Sequence, residues 1–137
     1  MNFVKLDGIR LAVVAEKEAK EQIRKLKEEE EKAKKELKEI MQKFDTDENA
    51  VGMILLEEEN GKTKINPVIW VKTIDTIYYE TACGSGSLAT AIYKNKVEGS
   101  ENLEIVQPSG YSIYIRLEKQ SNTIQKAVVK GKVMEND

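Results

Sequence analysis

Apolar residues recur along this chain with two different periods, and the change of period separates a helical part from a strand-rich part. Residues 16–44 are mostly Glu, Lys, Gln, Ala and Leu, without Gly or Pro, and their apolar side chains follow steps of three and four residues. This spacing predicts one amphipathic helix, about 40 Å long at 1.5 Å per residue. Its apolar positions are Ala19, Ile23, Leu26, Ala33, Leu37, Ile40 and Phe44, with Glu30 at the one polar step.

The narrow apolar stripe of this helix is compatible with two kinds of packing. The helix can lie on a sheet with its charged side in solvent, or it can form a coiled-coil seam with a second chain, because its length meets the usual threshold for a coiled coil. Both contacts can also occur together, one at each end of the helix. A role for its lysines in nucleic-acid binding is not expected, because glutamates offset their charge.

The remainder of the chain consists of short apolar runs separated by turn residues, which is typical of β-strands. A second, shorter apolar helix is predicted from Ser85 to Lys94 or Asn95. Asn60 and Gly61 suit a tight hairpin turn, because type I′ turns need two positive φ angles. The predicted strands are Arg10–Ala15, Val51–Leu56, Ile65–Val71, Thr76–Glu80, Leu103–Val106, Tyr111–Leu117 and Ile124–Val133. Further turns are predicted at residues 45–49, 108–110 and 120–122.

These elements predict an α+β fold in a single domain, residues 1–137. We expect a mostly antiparallel sheet or half-barrel around a central helix, with one long charged helix over residues 16–44. Small apolar residues would let the central helix approach the sheet closely and fill its hollow.

Composition restricts the chemistry that this domain can perform. The 137 residues carry a formal net charge of −2, one cysteine and no histidine. Serine–histidine and cysteine–histidine catalysis, an intrachain disulfide and histidine-based metal sites are therefore excluded within the chain. No run approaches the ~18 apolar residues of a membrane span, and no signal peptide is evident. We therefore expect a cytoplasmic protein that binds neither nucleic acid nor membranes and holds no metal through histidine or several cysteines.

The only cysteine lies in a glycine-rich segment, Thr81–Ser87, immediately before the short apolar helix. A cysteine at a helix start lies beside unpaired backbone N–H groups, which favour the thiolate and can also hold a carboxylate or phosphate. The alternative is a purely structural role, in which Cys83 is a small buried apolar residue and Gly84 and Gly86 only allow the backbone to turn. Glu80 is expected to brace the loop through backbone N–H groups.

The segment Glu80–Ser87, with Pro108–Gly110 further along, resembles the C-terminal half of the diaminopimelate epimerase superfamily of cofactor-independent racemases and epimerases. Those enzymes carry Glu-Thr-x-Ala-Cys-Gly-x-Gly at a helix start and later Pro-Gly-Gly. The form Glu-Thr-Ala-Cys-Gly-Ser-Gly in this chain is most similar to the histidine racemase branch. Order and spacing extend the resemblance, more loosely, from Gly8 to Val133.

The resemblance implies an enzyme of two similar halves, each with one cysteine at the start of its central helix and with the amino-acid substrate between them. Cys83 would act as thiolate or thiol at the α-carbon. The implied substrate-binding residues are Asn66, Glu80, Thr81, Gly84, Ser85, Gly86 and Ser87.

Only one half is evident here, and the Glu-Arg-Gly segment of diaminopimelate epimerases is absent. Racemisation by two bases needs groups on opposite faces of the α-carbon. The chain therefore requires a second domain or a second copy for efficient racemisation. Two other functions stay open: a non-catalytic module that binds carboxylate or phosphate, and an assembly protein whose long helix mediates oligomerisation.

Overall fold

The computed structural model describes residues 1–44, 46–121 and 123–131, which form one eight-stranded mixed sheet and three α-helices. The strands are β1 (Asn2–Leu6), β2 (Ile9–Val14), β3 (Ala50–Glu59), β4 (Lys62–Val71), β5 (Thr76–Tyr79), β6 (Asn102–Val106), β7 (Ser112–Gln120) and β8 (Thr123–Gly131). The helices are α1 (Glu16–Glu28), α2 (Glu30–Met41) and α3 (Gly84–Glu98), with a 3₁₀ turn at Lys72–Ile74. Asp45, Asn122 and Val133, which the sequence places in turns and the last strand, lie outside the described residues.

The strands are ordered β1-β2-β3-β4-β6-β7-β8, and β5 pairs with β4 beside this path. Most neighbours are antiparallel, whereas the pairs β2–β3 and β4–β6 are parallel. Parallel neighbours require a crossover connection. The segment α1–α2 makes the first crossover, and the segment containing β5 and α3 makes the second. The predicted α+β class with a mostly antiparallel sheet is therefore confirmed.

The two helical connections lie on opposite faces of the sheet. Along β3, Met53 and Leu55 pack with the apolar residues of α1 and α2, whereas Ile54 and Leu56 pack with Ala89 of α3. Successive side chains of a strand point to opposite faces, so both faces of β3 are buried. This explains why β3 is a continuous apolar run without alternation.

Helix α3 lies in the hollow of the sheet and contacts β1, β2, β3, β4, β6, β7 and β8. Ala89 and Ala91 on this helix are fully buried, and their small side chains let the helix approach the strands closely. The helix ends at Gly99, which adopts a left-handed conformation with φ 75°. The predicted half-barrel around a central helix is thus present, and α3 begins at the glycine-rich segment that contains the only cysteine.

The prediction of one long helix over residues 16–44 is wrong, because the helix is broken at Glu29. Glu29 has φ −140° and ψ 61°, outside the helical region, and Lys25 forms an ion pair with Glu36 across the break at 3.0 Å. The break falls within four consecutive glutamates, residues 28–31, where no apolar side chain holds the chain to the sheet.

The break lets both helices bury their apolar stripe against the same face of the sheet. The stripe residues at most 5% exposed are Ala19, Ile23, Leu26, Ala33, Leu37 and Met41. Since the sheet of the same chain already covers this stripe, it is not free to form a coiled coil with another chain. The first of the two predicted kinds of packing is therefore the one observed.

The predicted Asn-Gly turn joins β3 to β4. Asn60 and Gly61 have φ angles of 52° and 75°, the two positive values that a type I′ turn needs. In the part of the chain that the structure describes, no helix combines the length and the apolar character that crossing a lipid bilayer requires.

Candidate functional site

Cys83 occupies the N-cap position of α3, with extended backbone angles of φ −146° and ψ 109°. Its Sγ accepts a hydrogen bond from the backbone N–H of Gly86 at 3.2 Å and lies 3.5 Å from the Oγ of Ser85. The side chain is half-buried and packs against the core between the sheet and α3. The sulfur thus lies where the sequence predicts it, at the positive end of the helix dipole.

The backbone N–H groups at this helix start fall into two sets. Those of Cys83, Gly86 and Ser87 are occupied, by Gln107, by the sulfur and by the Cys83 carbonyl, respectively. Those of Gly84 and Ser85 have no hydrogen-bond acceptor within residues 1–44, 46–121 and 123–131. Gly84 is exposed and Ser85 half-buried. Two adjacent donors beside the sulfur are therefore available to an anion, as at other helix starts.

The side chain of Gln107 fixes the backbone of Cys83 through a hydrogen bond. Its side chain is fully buried, and its Oε1 accepts a hydrogen bond from the Cys83 N–H at 2.8 Å. Its Nε2 donates to the Oγ of Ser87 and to the Ile105 carbonyl, both at 2.9 Å. No motif in the sequence predicts this role of Gln107. Its only sequence signal is a polar side chain between the apolar end of β6 and Pro108, which does not distinguish a buried amide from a turn residue.

Several predicted substrate-binding residues surround Cys83 but have structural partners. The hydroxyl of Ser87, which is buried, donates to the Cys83 carbonyl at 2.7 Å. The carbonyl of Thr81, an exposed residue, accepts from the backbone N–H of Ser109 at 3.1 Å. This bond ties the predicted turn at residues 108–110 to the cysteine loop.

Glu80 and Gly86 also contribute to the loop through its backbone. The Glu80 N–H donates to the Pro67 carbonyl at 2.9 Å. Among the described residues no hydrogen bond or ion pair involves the Glu80 carboxylate, so the bracing expected of it comes from Gln107 instead. A Cβ atom at Gly86 would lie 2.8 Å from the Cδ1 of Ile54, so any larger residue there displaces the Ile54 side chain.

Asn66 is not brought to Cys83, because the two residues lie on opposite faces of the sheet. Its neighbours Ile65 and Ile69 in β4 pack with Cys83, whereas Val68 and Tyr79 pack beneath α1 and α2. By strand alternation Asn66 shares the face of Val68. The sequence gives the position of Asn66 in β4 but not the face on which the cysteine lies.

Asn66 instead belongs to a buried polar network on the α1–α2 face. It is fully buried, accepts a hydrogen bond from the hydroxyl of Tyr79 at 2.6 Å and donates to Glu57 at 2.7 Å. Lys27 of α1 pairs with Glu57 at 2.9 Å. Burial alone raises the pKa of Glu57, but the hydrogen bonds from Asn66 and Lys27 outweigh it and hold the pKa below the ordinary value for glutamate.

A second polar cluster lies at the other end of α3, beside a cavity of about 580 Å³. Lys94 is 8% exposed and pairs with Glu58 at 2.5 Å and with Glu98 at 3.2 Å. Burial lowers the pKa of Lys94, but these carboxylates more than compensate and raise it. Because its charges are paired within the chain, this cluster secures the end of α3. Within the described residues no three His, Cys, Asp or Glu side chains converge to hold a metal ion.

A model of the histidine racemase CntK N-terminal domain matches residues 1–135 of this chain. Two curated relatives, both named histidine racemase, come from two strains of Fusobacterium nucleatum subspecies nucleatum. One is 32% identical over 69 residues, which cover 50% of this chain and 26% of the relative. The other is 33% identical over 67 residues, which cover 49% of this chain and 24% of the relative. The chain therefore spans about a quarter of the length of the curated relatives it matches.

These matches agree with the racemase resemblance but differ from it in position. The matched family is an N-terminal domain, whereas the cysteine motif predicts the C-terminal half of an enzyme of the diaminopimelate epimerase superfamily. The cysteine motif does not separate the two, because the resemblance implies a cysteine at a helix start in each half. The histidine racemase branch, which the motif also indicates, agrees with the names of both relatives.

Proposed function

This chain belongs to the histidine racemase CntK N-terminal domain family, and we propose that it supplies one half of a cofactor-independent amino-acid racemase. The names of the two relatives make histidine the first substrate to test. One observation carries the proposal: the half-buried sulfur of Cys83 caps α3 beside two backbone N–H groups, those of Gly84 and Ser85, that lack an acceptor among the described residues.

In this proposal Cys83 exchanges a proton with the α-carbon of the substrate. As thiolate, its Sγ removes the α-proton, and as thiol it returns a proton to the same face. The Gly86 N–H donates a hydrogen bond to this sulfur, which lies at the positive end of the dipole of α3. No cofactor enters this mechanism.

The backbone N–H groups of Gly84 and Ser85 hold the α-carboxylate of the substrate. When the α-proton leaves, negative charge spreads from the α-carbon onto this carboxylate. Fixed donors aimed at developing charge stabilise the transition state more than the ground state. Ser87 and Thr81 support the loop through backbone contacts, and Asn66 has no part in this site because it lies on the other face of the sheet.

Inversion of the α-carbon requires a second acid–base group on the opposite face. The chain has one cysteine and no histidine, so a C-terminal half or a second copy supplies that group. The chain alone is then expected to exchange the α-proton with solvent without efficient inversion.

The test is α-proton exchange of L- and D-histidine in deuterated water, followed by loss of the α-proton NMR signal. The full chain should catalyse exchange, and the C83S and C83A variants should abolish it while the circular dichroism spectrum is unchanged. The control is V97S, at an exposed position near the far end of α3. Exchange retained in C83A, or absent from the wild-type chain, contradicts the proposal.

A second candidate is a non-catalytic module of the same fold that binds a carboxylate or phosphate. The available N–H groups of Gly84 and Ser85 favour it, because they suit an anion whether or not chemistry follows. Saturable binding of histidine or inorganic phosphate without α-proton exchange would support this candidate. The alternative of oligomerisation through the charged helix has no such support, since the stripe of α1 and α2 is buried within the chain.

A further inference from the structure

We infer that Gln107 is a positioning residue that fixes the Cys83 backbone for proton transfer, an inference that rests on the proposed function. Gln107 lies at the end of β6, 24 positions after Cys83 in the sequence. Its amide is fully buried and uses both ends in hydrogen bonds to the start of α3 and to β6.

These bonds close a ring around Cys83. The Cys83 N–H donates to the Oε1 of Gln107 at 2.8 Å, and the Nε2 of Gln107 donates to the Oγ of Ser87 at 2.9 Å. The Ser87 hydroxyl then donates back to the Cys83 carbonyl at 2.7 Å. Both polar groups of the Cys83 backbone are therefore held. Rotation about its φ or ψ angle breaks a hydrogen bond to a buried partner, which is costly.

The turn that follows Gln107 holds the loop from its other side. The backbone N–H of Ser109 donates to the Thr81 carbonyl at 3.1 Å, and the N–H of Gly110 donates to the Gln107 carbonyl at 2.9 Å. The cysteine loop is thus fixed at Thr81 and at Cys83, although Thr81 and Gly84 are exposed. An exposed loop with two fixed points can present its sulfur in one orientation.

Gln107 also decides which N–H groups can meet the substrate. Because it occupies the Cys83 N–H, the available donors are those of Gly84 and Ser85, which lie further along the first turn of α3. Without Gln107 the Cys83 N–H becomes a third donor, and the substrate carboxylate gains a competing position. Misplacement of a reacting group by about 1 Å can lower a rate by about a hundredfold.

The first test compares Gln107→Met with Gln125→Met in the exchange reaction with histidine. Methionine keeps the approximate volume of glutamine but removes the amide, and Gln125 is an exposed glutamine on β8. For Q107M we expect kcat to fall about tenfold to a hundredfold, with KM changed by less than about twofold. For Q125M we expect neither to change. An unchanged kcat, or a rise in KM alone, in folded Q107M overturns the inference.

A second measurement distinguishes a failure of this inference from a failure of the proposed function. It also remains informative if Q107M is less stable than the wild type. Amide hydrogen exchange, read by NMR under native conditions, should be slow at the Cys83 N–H in wild type and about tenfold faster in Q107M or S87A. The Gly99 N–H, bonded to the Asn95 carbonyl at the far end of α3, is the internal reference. An unprotected Cys83 N–H in wild type overturns the inference. If the Cys83 N–H is protected but the wild-type chain does not catalyse α-proton exchange, the hydrogen bond to Gln107 is supported and the proposed function is overturned instead.

Discussion

The backbone N–H of Gly86 donates a hydrogen bond to the Sγ of Cys83, 3.2 Å away, and the two residues are packed closely together. A Cβ atom built at Gly86 would lie 3.2 Å from this sulfur and 2.8 Å from the Cδ1 of Ile54. At Gly84, two residues earlier, a Cβ atom would meet nothing within 4 Å. Two glycines in one motif therefore have different structural roles.

Gly86→Ala should be less stable than Gly84→Ala by about 1–3 kcal/mol, because alanine gains helix propensity at both positions but only at position 86 does the new methyl group displace Ile54 or the sulfur of Cys83. Gly84→Ala is the matched control and should leave the free energy of unfolding unchanged or raise it by up to about 1 kcal/mol. Urea denaturation of both variants measures the difference. Equal stability of the two variants would contradict the close packing at Gly86.

Removing the Tyr79 hydroxyl should destabilise the fold without affecting the cysteine site. In Y79F the Oδ1 of Asn66, a fully buried residue, loses the donor that lies 2.6 Å away in the wild type. An unsatisfied buried acceptor costs about 1–3 kcal/mol. The control is Y78F, because Tyr78 is 42% exposed. We expect α-proton exchange to be unchanged in Y79F. A large loss of exchange in a fully folded Y79F variant would show that the two faces of the sheet are coupled.

The stability of the protein should fall in acid partly through Glu57. Its pKa is lowered in the folded state by the hydrogen bonds from Asn66 and Lys27, so the unfolded chain binds a proton at higher pH than the native protein does. Stability from this carboxylate is therefore complete above about pH 5 and is lost as the pH falls through the lowered value. The E57Q variant should show a shallower decline of unfolding free energy between about pH 5 and pH 3. E59Q, on the exposed end of β3, should follow wild type, and identical slopes for E57Q and wild type would refute the assignment.

Truncating a side chain in the buried apolar stripe of α1 should destabilise the chain, and the size of this effect should not depend on protein concentration. Leu26 is 1% exposed, and its replacement by alanine leaves a cavity that costs about 2–5 kcal/mol. Lys20→Ala, on the exposed side of α1, should change stability by less than about 0.5 kcal/mol. Thermal unfolding at several protein concentrations gives the measurement. A melting temperature that rises with concentration would favour the coiled-coil alternative instead.

The sequence by itself determined the local elements and the position of the cysteine. Asn60 and Gly61 predict their turn because few other residues accept positive φ angles. The glycine-rich segment predicts a helix from Ser85, one residue after its observed start at Gly84. The α+β class follows from the change of hydrophobic period near residue 45. Strand β1 is not predicted, because Asn2–Leu6 is short and its exposed residues carry little periodic signal.

Only the tertiary structure decided which residues meet. Asn66 and Cys83 fall on opposite faces because strand register, which no local pattern records, sets the direction of each side chain. Gln107 reaches Cys83 because β6 runs beside α3, and the helix breaks at Glu29 because both halves of its stripe pack on one sheet. Local propensity acts over a few residues, whereas these contacts join residues that are distant in the sequence and depend on the packing of the whole fold.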